Sequence, residues 1–153
     1  MNATKRIPPA KPPVKKRADG QVTGLAGELF VAAELLRRDI QTSLTFGNAK
    51  AIDLLAYNPE TRRHFTVQVK AVRRRNVFPI SHAKVEAEHV YVFVVLNPPG
   101  QSPEYYIVHG STLKNEPERF VPRWFKDPKF PGIGWKTLRD EGLQDNWALF
   151  TAA

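Results

Sequence analysis

Four residues in the first half of the chain could do chemistry together: Glu28, Asp53, Gln68 and Lys70. Two carboxylates and an amide can offer oxygen ligands to a hard divalent cation, and an ammonium beside them can face a phosphate or a water. Asp53 lies in "AIDLLAY", between Ile52 and Leu54. A carboxylate embedded in an apolar strand needs a metal, a cation or several hydrogen-bond donors to offset its desolvation. Gln68 and Lys70 belong to "HFTVQVKAVRRR". Strand side chains alternate, so Phe65, Val67 and Val69 take one face while Thr66, Gln68 and Lys70 take the other. The apolar set can pack on a core, and the polar set must meet water or line a site.

The elements that would position these residues follow from periodicity. Residues 22–38 read as a helix, with Leu25, Leu29, Ala32, Ala33 and Leu36 as the core-facing stripe. On that reading Glu28 falls on the flank of the stripe, partly buried and in need of a partner, and Glu34 falls opposite it as a solvated charge. Three strands come next: "DIQTSLTFG" with a tight Gly47-Asn48 turn, "AIDLLAY" ended by "NPET", and "RHFTVQVKAV". Their short polar connections imply an antiparallel meander. "SHAKVEAEHV" reads as a short helix. "HVYVFVVLN" is an apolar run suited to a central strand buried on both faces, and "EYYIVHG" returns as another strand. A helix near "STLKNEPERF" precedes an aromatic, proline-rich region whose "NWALF" is expected to dock on the core.

Bulk properties narrow the class. At 153 residues without cysteine, the expectation is one folded domain with neither disulfides nor thiolate metal sites. No apolar run suits a membrane span and no signal peptide is evident, so no membrane partner is expected and the location reads as cytoplasmic. The net charge of +8 points to a polyanionic partner. Five of those eight charges lie in residues 1–20, a basic, proline-rich stretch read as a disordered tail, leaving residues 21–153 as the single domain. The tail is either a solvated appendage or a phosphate-contacting arm.

In combination, Glu28 on the first helix, Asp53 on the second strand and Gln68-Val69-Lys70 on the third resemble the PD-(D/E)XK nuclease superfamily, which includes restriction-type enzymes and Holliday-junction resolvases. Fourteen residues separate Asp53 from Gln68. The likeness spans about residues 24–109 and implies an α/β (α+β) fold: a restriction-endonuclease-like αβββαβ core with a mixed central sheet flanked by helices. It also implies a metal-dependent endonuclease acting on DNA, or on RNA, with Mg2+ as cofactor and Mn2+ as a substitute. Asp53 would be the central metal ligand, Gln68 and Glu28 further ligands, and the Val69 carbonyl another. Lys70 would orient or deprotonate the attacking water or stabilise charge on the phosphorane. Two departures stand out: the proline expected before the aspartate is replaced by Ile52, and Gln68 occupies a position usually held by an acid. The alternative is a catalytically inactive nuclease-fold protein that binds nucleic acid or serves as a partner subunit. Cutting both strands of a duplex generally needs two active sites, which makes a homodimer reasonable.

Arginines bracket the third strand. Arg62 and Arg63 precede it, and Arg73, Arg74 and Arg75 follow Lys70 closely. Arginine grips phosphate through a bidentate fork, so these five are candidate nucleic-acid contacts, with a solubilising sheet edge as the rival explanation. His64, His82, His89 and His109 show no zinc-ligand spacing and read as surface or hydrogen-bonded residues. Trp124, Trp135 and Trp147 read as packing rather than base-stacking platforms.

Overall fold

A computed structural model describes Ala10 and residues 20–45, 52–120 and 125–153. The basic tail (apart from Ala10 and Gly20), the Gly47-Asn48 turn and Trp124 lie outside the described residues. The chain opens with helix α1 (Gly20–Leu36), followed by β1 (Gln41–Leu44), β2 (Leu54–Asn58) and β3 (Arg63–Val72). These three strands pair antiparallel as a meander. The β2–β3 turn is built on Asn58, whose Oδ1 accepts the Glu60 N–H at 2.9 Å while Arg62 takes a left-handed φ of 59°.

After β3 the chain makes β4 (Val77–Pro79) and a single 3-10 turn (His82–Lys84) before entering β5 (Val90–Val95). The helix expected over 81–90 is thus reduced to that one turn, and β4 was not foreseen. β5 pairs parallel to β3 and antiparallel to β6 (Glu104–His109). The sheet order is β1-β2-β3-β5-β6, a five-stranded mixed sheet in which every β5 residue is buried, as its continuous apolar sequence requires. Helix α2 (Gly110–Asn115), a 3-10 turn (Pro117–Phe120), β7 (Gly132–Gly134), α3 (Trp135–Asp140) and α4 (Ala148–Thr151) complete the chain, β7 pairing with β4 in a second small sheet.

Two cores result, one on each face of the sheet. The first gathers Val31, Ala32 and Leu35 of α1 with Val67, Val69, Val92, Trp147 and Phe150. "NWALF" therefore docks as expected. The second gathers Phe78, Tyr91, Phe93, Tyr106, Leu113, Phe125 and Ile133.

Helix α1 differs from expectation in which side it buries. Gly27, Val31, Ala32 and Leu35 face the sheet, whereas Leu25, Leu29 and Leu36 are exposed to about half their surface (47, 51 and 53%), and Ala33 is exposed too. Apolar residues lie nearly all round this helix, so hydropathy alone cannot choose between stripes. Backbone approach chooses instead: a Cβ on Gly27 would lie 2.6 Å from the Ala71 Cβ of β3. Only the absent side chain lets α1 settle there. Glu34 likewise departs from a freely solvated charge. It pairs with Arg38 at 2.6 Å and Arg37 at 2.9 Å. The hydrogen bond from Arg38 is the chief reason that its carboxyl titrates below the ordinary value.

Candidate active site at the end of the central sheet

The site is assembled where β2 begins beside β3. Val67 and Val69 pack into the α1-side core, so Gln68 and Lys70 turn to the opposite face, as the alternation predicts. Asp53 lies immediately before β2 and is half-buried. Its backbone N–H donates to the Val67 carbonyl at 3.0 Å, and its Oδ2 accepts the Val69 N–H at 2.7 Å. The aspartate thereby brackets Gln68 from the neighbouring strand. The backbone bond satisfies one carboxylate oxygen and leaves Oδ1 without a partner among the described residues.

Gly27 seats α1 on Ala71, and the next residue, Glu28, comes within range of Asp53. Burial, with the Asp53 charge as second cause, raises the Glu28 carboxyl above its ordinary value. Glu28 has no ion pair or hydrogen bond to a described residue. Two carboxylates thus repel across a gap, an arrangement that an added cation relieves.

Gln68 is buried, 5% exposed. Its Nε2 lies 2.8 Å from His89 Nδ1 and donates to Tyr91 Oη at 3.0 Å. The parallel register that sets Gln68 against Tyr91 makes this possible. Tyr91 Oη also accepts the Glu86 N–H at 2.9 Å, and burial raises the phenol's pKa, so the hydroxyl stays neutral. With the NH2 group spent on His89 and Tyr91, the amide oxygen of Gln68 has no partner among the described residues. That is the orientation a cation would require of a glutamine in place of an acid.

Lys70, two residues on, is half-buried and makes no hydrogen bond or ion pair with a described residue. It opens with Gln68 onto a cleft of about 800 Å³ walled by Val77, Pro79, Ile80 and Tyr91. Among the described residues no three His, Cys, Asp or Glu side chains cluster as a metal set. An ion beside Asp53 would take its carboxylate oxygen, with Glu28 approaching from the α1 side, Gln68 offering its amide oxygen from the neighbouring strand, and waters completing the shell.

The arginines are dispersed. Arg73 donates to Thr23 Oγ1 at 3.0 Å. Arg75 is held by Glu104 at 3.0 Å and stacks on Trp135, its charge reinforced by that carboxylate. Arg74 is exposed. Arg62 and Arg63 sit at the other end of β3, some 23 Å of strand from Lys70 at the usual rise per residue, and Arg63 donates to the Ala152 carbonyl at 3.2 Å. The cations beside Lys70 are instead Lys84 and Lys129, together with Phe130, all lining the cleft. None of them carried a sequence signal, because the loops that deliver them are distant along the chain. His89 was expected to be a surface or hydrogen-bonded residue, and it lies 2.8 Å from Nε2 of the candidate site's glutamine.

No family model matches the chain, and no curated protein matches it in sequence. Among solved structures it is similar to a bacterial homing endonuclease, I-Ssp6803I, with a TM-score of 0.54 at 13% identity over 87% of this chain and 91% of the other. The fold is restriction-endonuclease-like. A second structure, the Holliday junction resolvase Hjc of Archaeoglobus fulgidus, aligns at a TM-score of 0.47 and 13% identity, covering 76% of this chain and 87% of that one. The likeness to the homing endonuclease is one of fold: the mixed five-stranded sheet and the α1 layer packed on it.

Proposed function

We propose that this protein is a divalent-metal-dependent endonuclease that hydrolyses DNA phosphodiester bonds, with Asp53, Gln68, Glu28 and Lys70 as its centre. The observation that carries the proposal is that Asp53 accepts the Val69 N–H between Gln68 and Lys70, while the Gln68 NH2 group is held by His89 and Tyr91 and Gln68 and Lys70 open together onto one cleft. Mg2+, or Mn2+ in its place, supplies Lewis-acid polarisation of the phosphoryl oxygen when bound. Asp53, fixed by the Val69 N–H through Oδ2, would hold the metal through its other carboxylate oxygen. Lys70 either positions and deprotonates the attacking water or stabilises the charge growing on the phosphate. The rigid β-strand platform holds these groups in register, which is where positioning contributes most to phosphoryl chemistry.

The deciding experiment is cleavage of supercoiled plasmid and of a branched DNA with Mg2+, Mn2+ or EDTA, with Lys70→Ala beside the wild type. Metal-dependent cutting that falls at least a hundredfold in a folded Lys70→Ala variant is the expected result. Unchanged cutting by that variant would overturn it.

A second reading rests on one fact: among the described residues no three His, Cys, Asp or Glu side chains gather as a metal set. A nuclease-fold protein that binds nucleic acid without cutting would show salt-sensitive binding indifferent to Mg2+. Two-strand cutting by the first reading calls for two copies of the site, and the exposed α1 stripe of Val22, Leu25, Leu29 and Leu36 is the surface assigned to that pairing. Its spacings of three, four and seven residues suit a helix packed against its own two-fold copy.

A further inference from the structure

The cleft that begins at Gln68 and Lys70 has a composition that phosphate binding alone does not explain. Its walls are apolar (Val77, Pro79, Ile80, Pro131), its floor is Tyr91, and Lys84 and Lys129 join Lys70 around it. At about 800 Å³ it falls within the range of small-molecule and cofactor sites. At its rim stands Phe130, 77% exposed, the most exposed large apolar side chain among the described residues. A phenyl ring left in water at the lip of an apolar cleft ringed by cations matches the two-part chemistry of an unstacked nucleotide, with a ring for the base and ammonium groups for its phosphates.

The loop bearing Phe130 is held in place. Asp127 Oδ1 accepts the N–H groups of both Lys129 at 2.8 Å and Phe130 at 3.1 Å. The Pro131 carbonyl then accepts the Ile80 N–H at 3.2 Å, tying the loop to the end of β4. The ring is thus presented from a backbone pinned on both sides, so little ordering entropy remains to be lost on binding.

We infer that this cleft is a binding site for an unpaired nucleotide of single-stranded nucleic acid next to the scissile phosphate, with Phe130 stacking on its base. In a duplex the base faces are covered by neighbouring bases, and an aromatic platform has nothing to bind until a base is unstacked. The cleft therefore selects substrates carrying single-stranded segments, such as flaps, gaps or branch points. The inference relies on the proposed nuclease centre only for the position of the scissile phosphate.

The test is equilibrium binding by fluorescence anisotropy, in EDTA, using the full chain. Three probes are compared at fixed salt: labelled oligothymidylate, an abasic strand of the same length, and a duplex. Oligothymidylate should bind more tightly than the abasic strand. Phe130→Ala should weaken oligothymidylate by about tenfold without changing the other two, and Phe130→Trp should restore the preference. Equal affinity of the wild type for oligothymidylate and the abasic strand would overturn the inference, as would a Phe130→Ala variant that keeps the preference. Any phosphate contact made by the basic tail would be common to both single strands and cancel from the comparison. Base-selective binding with no metal-dependent cutting would sink the nuclease reading and leave the cleft assignment standing, while cutting without base selectivity would do the reverse.

Discussion

A glutamine at a metal site has a requirement that a carboxylate lacks. Its two terminal atoms are unlike, and only one of them can face a cation. Here His89 and Tyr91 hold the NH2 end, so at the proposed metal site they would be positioning residues for the Gln68 oxygen. His89→Phe and Tyr91→Phe should each lower Mn2+ affinity several-fold, as measured by titration calorimetry. In a Gln68→Glu background, where both terminal atoms are oxygens, the same substitutions should have little effect on affinity. Equal losses in the two backgrounds would mean that His89 and Tyr91 merely support the fold. The face shared by Gln68 and Lys70 could be read from the sequence because strand alternation fixes it. The pair that holds Gln68 could not, since Tyr91 lies on a parallel neighbour, and His89 just before it, reached only after a crossover. No local spacing encodes that register.

At the scale of elements, the site depends on how closely α1 lies on β3. Gly27 permits the approach, and Glu28 is delivered by it. Gly27→Val should cost about 1–3 kcal/mol in urea unfolding through overpacking against Ala71. It should also weaken Mn2+ binding, because α1 must lift and carry Glu28 away from Asp53. A loss of stability with metal affinity unchanged would remove Glu28 from the metal set. The sequence shows this helix clearly but misleads on its buried side. Its leucines spell the more hydrophobic stripe, while the inward side is set by a glycine, an alanine and two larger residues that fit the sheet. The meander was readable from turn residues and alternation. The short β4–β7 pairing was not, because its strands are three residues each and lie far apart in sequence.

At the scale of the whole molecule, the leucines left outside on α1 make a statement about assembly. If they seat a second copy, sedimentation velocity at micromolar concentration should show a dimer, and Leu25→Glu with Leu29→Glu should give a folded monomer. That variant should nick plasmid while losing concerted cutting of both strands. A monomeric wild type would assign the stripe elsewhere. The far end of the sheet carries a different consequence. Asn58, 3% exposed, donates through Nδ2 to the Phe150 carbonyl at 2.9 Å while its Oδ1 shapes the β2–β3 turn. The chain's last helical turn is therefore a latch on the hairpin that carries the proposed chemistry. A one-residue slip of β3 would turn Gln68 and Lys70 inward to the α1 side. Trimming the chain before Phe150, or fusing a tag that pulls α4 from its seat, would disturb the proposed catalytic face from the opposite end of the strand without touching any residue that lines it.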